Sequence, residues 1–343
     1  MNPAPLYINK ISTKLPSDQL SNREFSFLIS ENHRPEDFNS ETADTWIEER
    51  TGISNRAVAS RELVGTRVAP IEYEFALTCE VLDQFNLTPQ NWAELDAIVV
   101  VKSSPIQYSP SLSQKIVKKY SDQFSNEVPL KGGVFTLDIF QPSTGLLAAL
   151  KVLMTLPFKN AWLIVPEILT PFLNLKDPAS AILFGDGVAA LWLTRSAQNS
   201  IFQIKDVDFE SMPDHNQVLG FLDTNESSYM KGPELFRKII PEFKKASIKI
   251  LERNQLKESD IQFYLPHQAN TRIIERAASS LGFQKEQVIT NIKNVGNTAS
   301  ASMVIALDHF LQSGVKLTKG TKILMNACGA GLSSGAAILE ATQ

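Results

Sequence analysis

Three short stretches of the 343-residue chain carry side chains suited to acyl chemistry, and each falls where a strand-like run hands over to a helix-like one. Ser143 lies in DIFQPSTGL (138–146), His267 in PHQAN (266–270) and Asn297 in KNVGNT (293–298). A serine near a helix start has two uses. Its hydroxyl can cap exposed backbone N–H groups, or it can attack a carbonyl while the positive end of the helix favours the oxyanion that forms. A histidine at such a turn is a proton acceptor or a plain turn residue, and an asparagine beside Gly296 is a hydrogen-bond donor or a plain turn residue. A fourth stretch, CGAGLSSGAAIL (328–339), is a glycine-rich turn running into an apolar strand. Glycines there permit close backbone approach, and their N–H groups can be offered to an oxyanion.

The elements that must position these residues follow from pattern. Residues 133–139 (GVFTLDI) are β-branched and aromatic, whereas 146–154 (LLAALKVLM) are strong helix formers. The runs 95–101, 161–165 and 322–325 read as short buried strands, and amphipathic stretches separate them, which gives an α/β architecture with helices covering sheets. The order strand, turn, helix, strand occurs twice, once around QPSTG and once as VITNI (288–292), KNVGNT, ASASMVIALDHFL and KILMNA. Two similar halves follow, with Ser143 and Asn297 in corresponding turns. The segments 21–42 and 194–200 read as loops, and the second divides an N-terminal half, 1–195, from a C-terminal half, 196–343. FGDGVAA (184–190) reads as a tight turn between two strands; it lacks the Lys-Ser/Thr of a phosphate loop.

Bulk properties exclude several classes. A formal net charge of −4, with no basic block, argues against nucleic-acid binding. The N-terminal residues MNPAPLYINKISTKLP lack the apolar stretch of a signal peptide, and no run approaches the ~20 apolar residues that span a bilayer, so a cytoplasmic protein is expected. Cys79 and Cys328 are far apart, and His33, His215, His267 and His309 show no metal-ligand spacing. Neither a metal nor another cofactor is expected.

Taken together with their spacing, HQANTRIIERAASSLG, NVGNTASAS, FGDGVAAL, WIEERTGISNR (46–56), MKGPELFRKIIPEF (230–243) and GAGLSSGAAIL resemble β-ketoacyl-acyl-carrier-protein synthase III of the thiolase superfamily. The resemblance runs over nearly the whole chain. It implies a five-layered αβαβα fold of two pseudo-twofold-related halves, a homodimer, and acyl-thioester substrates carried by an acyl carrier protein or coenzyme A. By position, His267 and Asn297 match the family's catalytic pair, and the backbone N–H groups of Ser143 and Ala330 match an oxyanion hole. The family's nucleophilic cysteine falls on Ser143. A hydroxyl is far less acidic than a thiol and needs a base, for which His267 is the candidate. Trp46 and Arg50 match positions that contact the coenzyme A nucleotide, but an arginine expected on the other face of the adenine falls on Pro171, which favours a carrier-protein donor. Arg237 and Arg272 match basic docking positions for an acidic carrier.

The expected function is transfer of an acyl group through Ser143 to a second substrate, giving a C–C bond, an ester or an amide, in a specialised pathway rather than fatty-acid initiation. The alternatives are a decarboxylase without a covalent intermediate, or a non-catalytic subunit shaping a partner's pocket. The segments 103–112 and 210–229 are expected to form pocket walls.

Overall fold

Continuous apolar strands set the architecture, because a strand with no polar face must be covered on both sides. The computed structural model describes residues 4–29, 33–35, 38–104, 109–124, 127, 132–214, 219–220 and 229–343. Parts of two expected pocket walls, 105–108, 215–218 and 221–228, lie outside the described residues. Nine strands are hydrogen-bonded in one sheet. They are β1 (Leu6–Lys14), β2 (Ala97–Lys102), β3 (Phe135–Phe140), β4 (Asn160–Glu167), β5 (Gly187–Thr194), β6 (Phe202–Ser211), β7 (Phe263–Pro266), β8 (Lys322–Gly329) and β9 (Ser333–Ala341). Their spatial order is β7-β8-β9-β6-β1-β5-β4-β2-β3.

The sheet turns at β1, which pairs with β6 over Leu6–Ile8 and with β5 from Tyr7 to Lys14. On either side the pattern repeats. β2 is parallel to β4, and β4 is antiparallel to β5; β7 is parallel to β8, and β8 is antiparallel to β9. The VITNI segment, expected to be the strand that corresponds to β3 in the second half, is reduced to a parallel bridge between Val288 and Tyr264.

Among the described residues, helix α1 (Ala43–Thr51) is followed by α2 (Ile71–Asp83), α3 (Leu112–Phe124), α4 (Gly145–Thr155), α5 (Gly232–Arg253), α6 (Thr271–Ser280) and α7 (Ser302–Gln312); α1 packs beside α6, and the other six cover the strands. Alternation along the strands assigns their layers. Val99 and Val101 of β2 pack with Leu147 and Leu150 of α4, with Val304 of α7, and with Met325 of β8 in one central core. Ile98 and Val100 face the other way, against Val81 of α2 and Ile116 and Tyr120 of α3. In the second half Leu324 and Ile338 meet Phe243 and Ile250 of α5 and Ala277 of α6. The result is five layers with α4 and α7 in the middle, as the resemblance implied.

Two local expectations change. Within 21–42, Asn22–Leu28 is helical, started by a capping box in which the Ser21 hydroxyl accepts the Glu24 N–H and the Glu24 carboxylate accepts the Ser21 N–H. FGDGVAA does not join two strands; it follows the short helix Pro178–Ala181 and leads into β5. Its glycine is required sterically, because a Cβ on Gly185 would lie 2.3 Å from the Val295 carbonyl oxygen. Asp186 beside it is fully buried and accepts hydrogen bonds from Leu169 N, Thr170 N, Thr170 Oγ1 and Ala59 N at 2.5–2.9 Å. Replacing Asp186 by alanine strands these donors. D186A is expected to lose about 3–5 kcal/mol of stability, read as a lower urea midpoint at unchanged m value.

Candidate active site

Ser143 sits in the turn between β3 and α4 with φ 62°, a left-handed conformation that few non-glycine residues adopt. Strain of this kind persists only where surrounding contacts enforce it. Those contacts are visible. Thr144 Oγ1 and Ser333 Oγ are 2.7 Å apart, and Gln141 Nε2 donates to both. Ser333 Oγ in turn donates to the Ala330 carbonyl at 3.1 Å. The Ser143 turn is thereby tied to the glycine turn after β8. Gly329 makes the approach possible, since a Cβ there would lie 2.7 Å from Pro142 O and 2.9 Å from Ser143 Cβ.

The capping role for Ser143 is not taken up. Thr144 is the residue that precedes α4, and no side chain caps that helix. Among the described residues the Ser143 hydroxyl has no hydrogen-bond partner, and neither its N–H nor that of Ala330 is engaged elsewhere.

His267 follows β7 directly. Its N–H donates to Asn326 O at 2.7 Å, the side chain is 1 % exposed, and Nδ1 lies 2.7 Å from Ser302 Oγ. Burial pushes the imidazole down to about 4, so it is neutral at physiological pH. Asn297 is positioned through its backbone: its N–H donates to Leu183 O and its carbonyl accepts Gly185 N–H, so the FGDG segment holds it in place. Its Oδ1 accepts the Ala299 N–H at 2.9 Å, which turns the amide NH2 outward as a donor. One residue beyond Ala299, the chain is fastened again. Ser300 Oγ donates to Gln141 O at 3.0 Å, and Ser300 N donates to the buried Glu167 carboxyl at 3.1 Å. Glu167 also accepts from Ser103 N and Oγ. Burial pushes its carboxyl up to about 7.

One cavity of about 850 Å³ is lined by Ser143, His267, Asn297 and Ala330 together. Trp46, Arg50 and Arg272 line it too. The Arg50 guanidinium stacks over the Trp46 ring at 4.0 Å from its centroid. Arg272 donates to Glu49 O at 2.7 Å, covering the C-terminal carbonyls of α1. Arg237 is not in the lining; it is exposed on α5, beside Phe236, which is. Pro171 is buried outside the lining, its carbonyl accepting Arg67 N–H. Gln141, Glu167, Ser302 and Ser333 were not singled out from sequence. Their signal was weak: each is an ordinary polar residue at a strand end or helix start. Among the described residues no group of three or more His, Cys, Asp or Glu side chains is placed to hold a metal ion, and no helix is long and apolar enough to cross a membrane.

A half-buried hydroxyl, a buried imidazole and a buried carboxamide line one cavity of a five-layered fold of the thiolase type. Comparison with known proteins narrows the class. Residues 137–212 match the family described as 3-oxoacyl-[acyl-carrier-protein] synthase III, and residues 251–341 match its C-terminal counterpart. The chain is 32 % identical over 327 residues to the β-ketoacyl-[acyl-carrier-protein] synthase III of Clostridium perfringens strain SM101, covering 91 % of this chain and 95 % of that one. It is also 32 % identical over 336 residues to the Aquifex aeolicus enzyme of the same name, covering 95 % and 96 %. The crystal structure of 3-oxoacyl-[acyl-carrier-protein] synthase III from Aquifex aeolicus superposes with a TM-score of 0.79 at 30 % identity, over 98 % of this chain and 99 % of that one. The chain belongs to the β-ketoacyl-acyl-carrier-protein synthase III family and is an acyltransferase.

Two outcomes follow from this geometry. G329A pushes the Ser143 turn away, and acyl transfer is expected to fall about 10²-fold in a steady-state assay while circular dichroism stays native. The two buried titrating groups have opposite signs. The unfolded histidine binds protons below its ordinary value near 6.5 and the folded one only near 4, so His267 costs stability as pH falls between them. Glu167 is protonated in the folded state up to about 7 but ionised in the unfolded chain above about 4.5, so it costs stability as pH rises through that window. In E167Q the second dependence disappears. Urea unfolding from pH 4.5 to 8 should show the variant gaining on wild type with rising pH, by about 3 kcal/mol at the top.

Proposed function

We propose that the protein takes an acyl group from a carrier-bound thioester onto Ser143 and condenses it with a carbanion produced by decarboxylation of a malonyl-type thioester. The observation that carries this reading is the single cavity holding Ser143, His267, Asn297 and Ala330. In the first half, Ser143 Oγ bonds to the thioester carbon and the C–S bond breaks. The hydroxyl proton passes to His267 Nε2 and then to the departing thiolate. The Ser143 and Ala330 N–H groups hold the oxyanion, supported by the N-terminal end of α4.

In the second half, donors on His267 and Asn297 polarise the malonyl thioester carbonyl, and CO2 leaves. The resulting carbanion attacks the acyl-serine carbon, a C–C bond replaces the C–O bond, and the freed Ser143 oxygen takes a proton from water. A serine asked to do a thiol's work without a carboxylate behind its histidine acylates slowly. That suits a specialised pathway better than bulk fatty-acid initiation.

The donor side favours a carrier protein. Arg50 already lies on the Trp46 ring, and Pro171 supplies no second cation there. Arg50, Arg272 and the exposed Arg237 offer charge to an acidic carrier. A homodimer is supported by β3, an edge strand that among the described residues pairs only with β2 and whose own Phe135 and Phe140 are 47 % and 46 % exposed. The division at 195/196 fits the connection between β5 and β6.

A second reading, decarboxylation without a covalent intermediate, is favoured by one observation: no hydrogen bond joins the Ser143 hydroxyl to His267 in this structure. Intact-protein mass spectrometry after incubation with acyl-carrier thioesters separates the two. Wild type is expected to gain the acyl mass and S143A not to. S143C, whose thiolate needs no partner base, is expected to acylate faster than wild type. An unmodified wild type that still releases CO2 from a malonyl thioester would move the assignment to the second reading.

A further inference from the structure

We propose that Ser302 is a positioning residue that holds His267 in the tautomer with its proton on Nε2, so that the ring meets the cavity as a hydrogen-bond donor. The argument is a count of donors and acceptors around one buried oxygen. Ser302, the first residue of α7, is 1 % exposed. Its Oγ makes two contacts among the described residues, to His267 Nδ1 at 2.7 Å and to Gln268 N at 3.2 Å. The second contact has only one possible sense, because a backbone N–H can only donate. That leaves the Ser302 O–H with a single acceptor, Nδ1. In the opposite tautomer Nδ1–H would also donate to Oγ, and a buried hydroxyl hydrogen would face no acceptor.

The surroundings prevent an easy escape. Gln268 Nε2 donates to Pro266 O and Ile289 O, while its Oε1 accepts from Thr290 Oγ1 and Asn291 N, so the residue whose N–H occupies Ser302 is fixed on all sides. The His267 backbone is held by Asn326. The start of α7 at Ser302 places the positive end of a helix beside the ring, which disfavours a second ring proton. Asn297 is arranged by the same logic, its acceptor consumed by Ala299 N–H. Both side chains therefore present N–H groups to the cavity. For the half-reactions this inference rests on the function proposed above. The resting tautomer is ready to polarise a thioester carbonyl, whereas acylation of Ser143 requires the Ser302 hydroxyl to turn away first.

The tautomer itself can be read without turnover. In the full chain labelled with 15N-histidine, the resonances of His267, identified by their loss in H267Q, are expected to show a pyridine-type Nδ1 and a pyrrole-type Nε2 at neutral pH. A pyrrole-type Nδ1, or two protonated nitrogens, would overturn the proposal whatever the enzyme's substrate. Half-reactions then separate positioning from structural support. With malonyl-pantetheine as probe, CO2 release is expected to fall at least about tenfold in S302A and to recover in S302T, which keeps the hydroxyl. Acyl-adduct formation on Ser143 should not fall in S302A. Equal loss of both half-reactions, or no recovery with threonine, counts against Ser302 as the tautomer determinant. Failure of wild type to release CO2 counts against the proposed function and leaves the NMR result to decide this one.

Discussion

The close meeting of two backbone turns, one ending β3 and one ending β8, is the constraint on which the site depends. Ser143 adopts a left-handed conformation at the tip of the first turn, and Gly329 leaves room for it in the second. Ser143 and Ala330, whose N–H groups are not engaged elsewhere among the described residues, line the same cavity, and the proposed oxyanion hole needs such donors fixed before the charge appears. The cluster of Gln141, Thr144 and Ser333 supplies the fixing, and it is almost wholly side-chain hydroxyl and amide chemistry. The two turns lie far apart in the chain, so the site exists only once both strands have joined the sheet.

Burial does the remaining chemical tuning. His267, Asn297 and Glu167 are removed from water, where an unpaired polar group is expensive, and each is held by hydrogen bonds that decide what its free atoms can do. Asn297 has its carbonyl oxygen occupied and its amide hydrogens directed outward. Glu167 has both carboxyl oxygens engaged by Ser103 and Ser300, which links the floor of the site to the turn carrying Asn297. Glycine at 185 lets the chain from Leu183 to Gly185 lie against that turn and register it. The motif that reads in sequence as a tight turn between two strands is thus a brace for the carboxamide.

Much of the fold was legible in the residues. Near-continuous burial along 97–102 and 322–329, and the repeated strand–turn–helix–strand order, follow from largely uninterrupted apolar runs that must be covered on both faces. The turns holding Ser143, His267 and Asn297 were legible for the same reason. The helix at Asn22–Leu28 was hidden by polarity, although its Ser21–Glu24 cap is a local signal that was there to be read. Val288 was over-read as part of a full strand, because apolar residues near a helix start satisfy either pattern.

Sequence alone determined which chemistry is available: one hydroxyl, one imidazole and one carboxamide, each in a turn ahead of a helix. Their types are local facts, fixed by the chain itself. Tertiary structure alone decided what those groups are able to do. Ser143 is freed from capping by a backbone conformation that Gly329 permits, His267 acquires Ser302 from 35 residues away, and Glu167 reaches Ser300 across 133. Hydrogen-bond direction and loss of water are properties of packed neighbours, and neighbours distant in the chain leave no periodic mark in it.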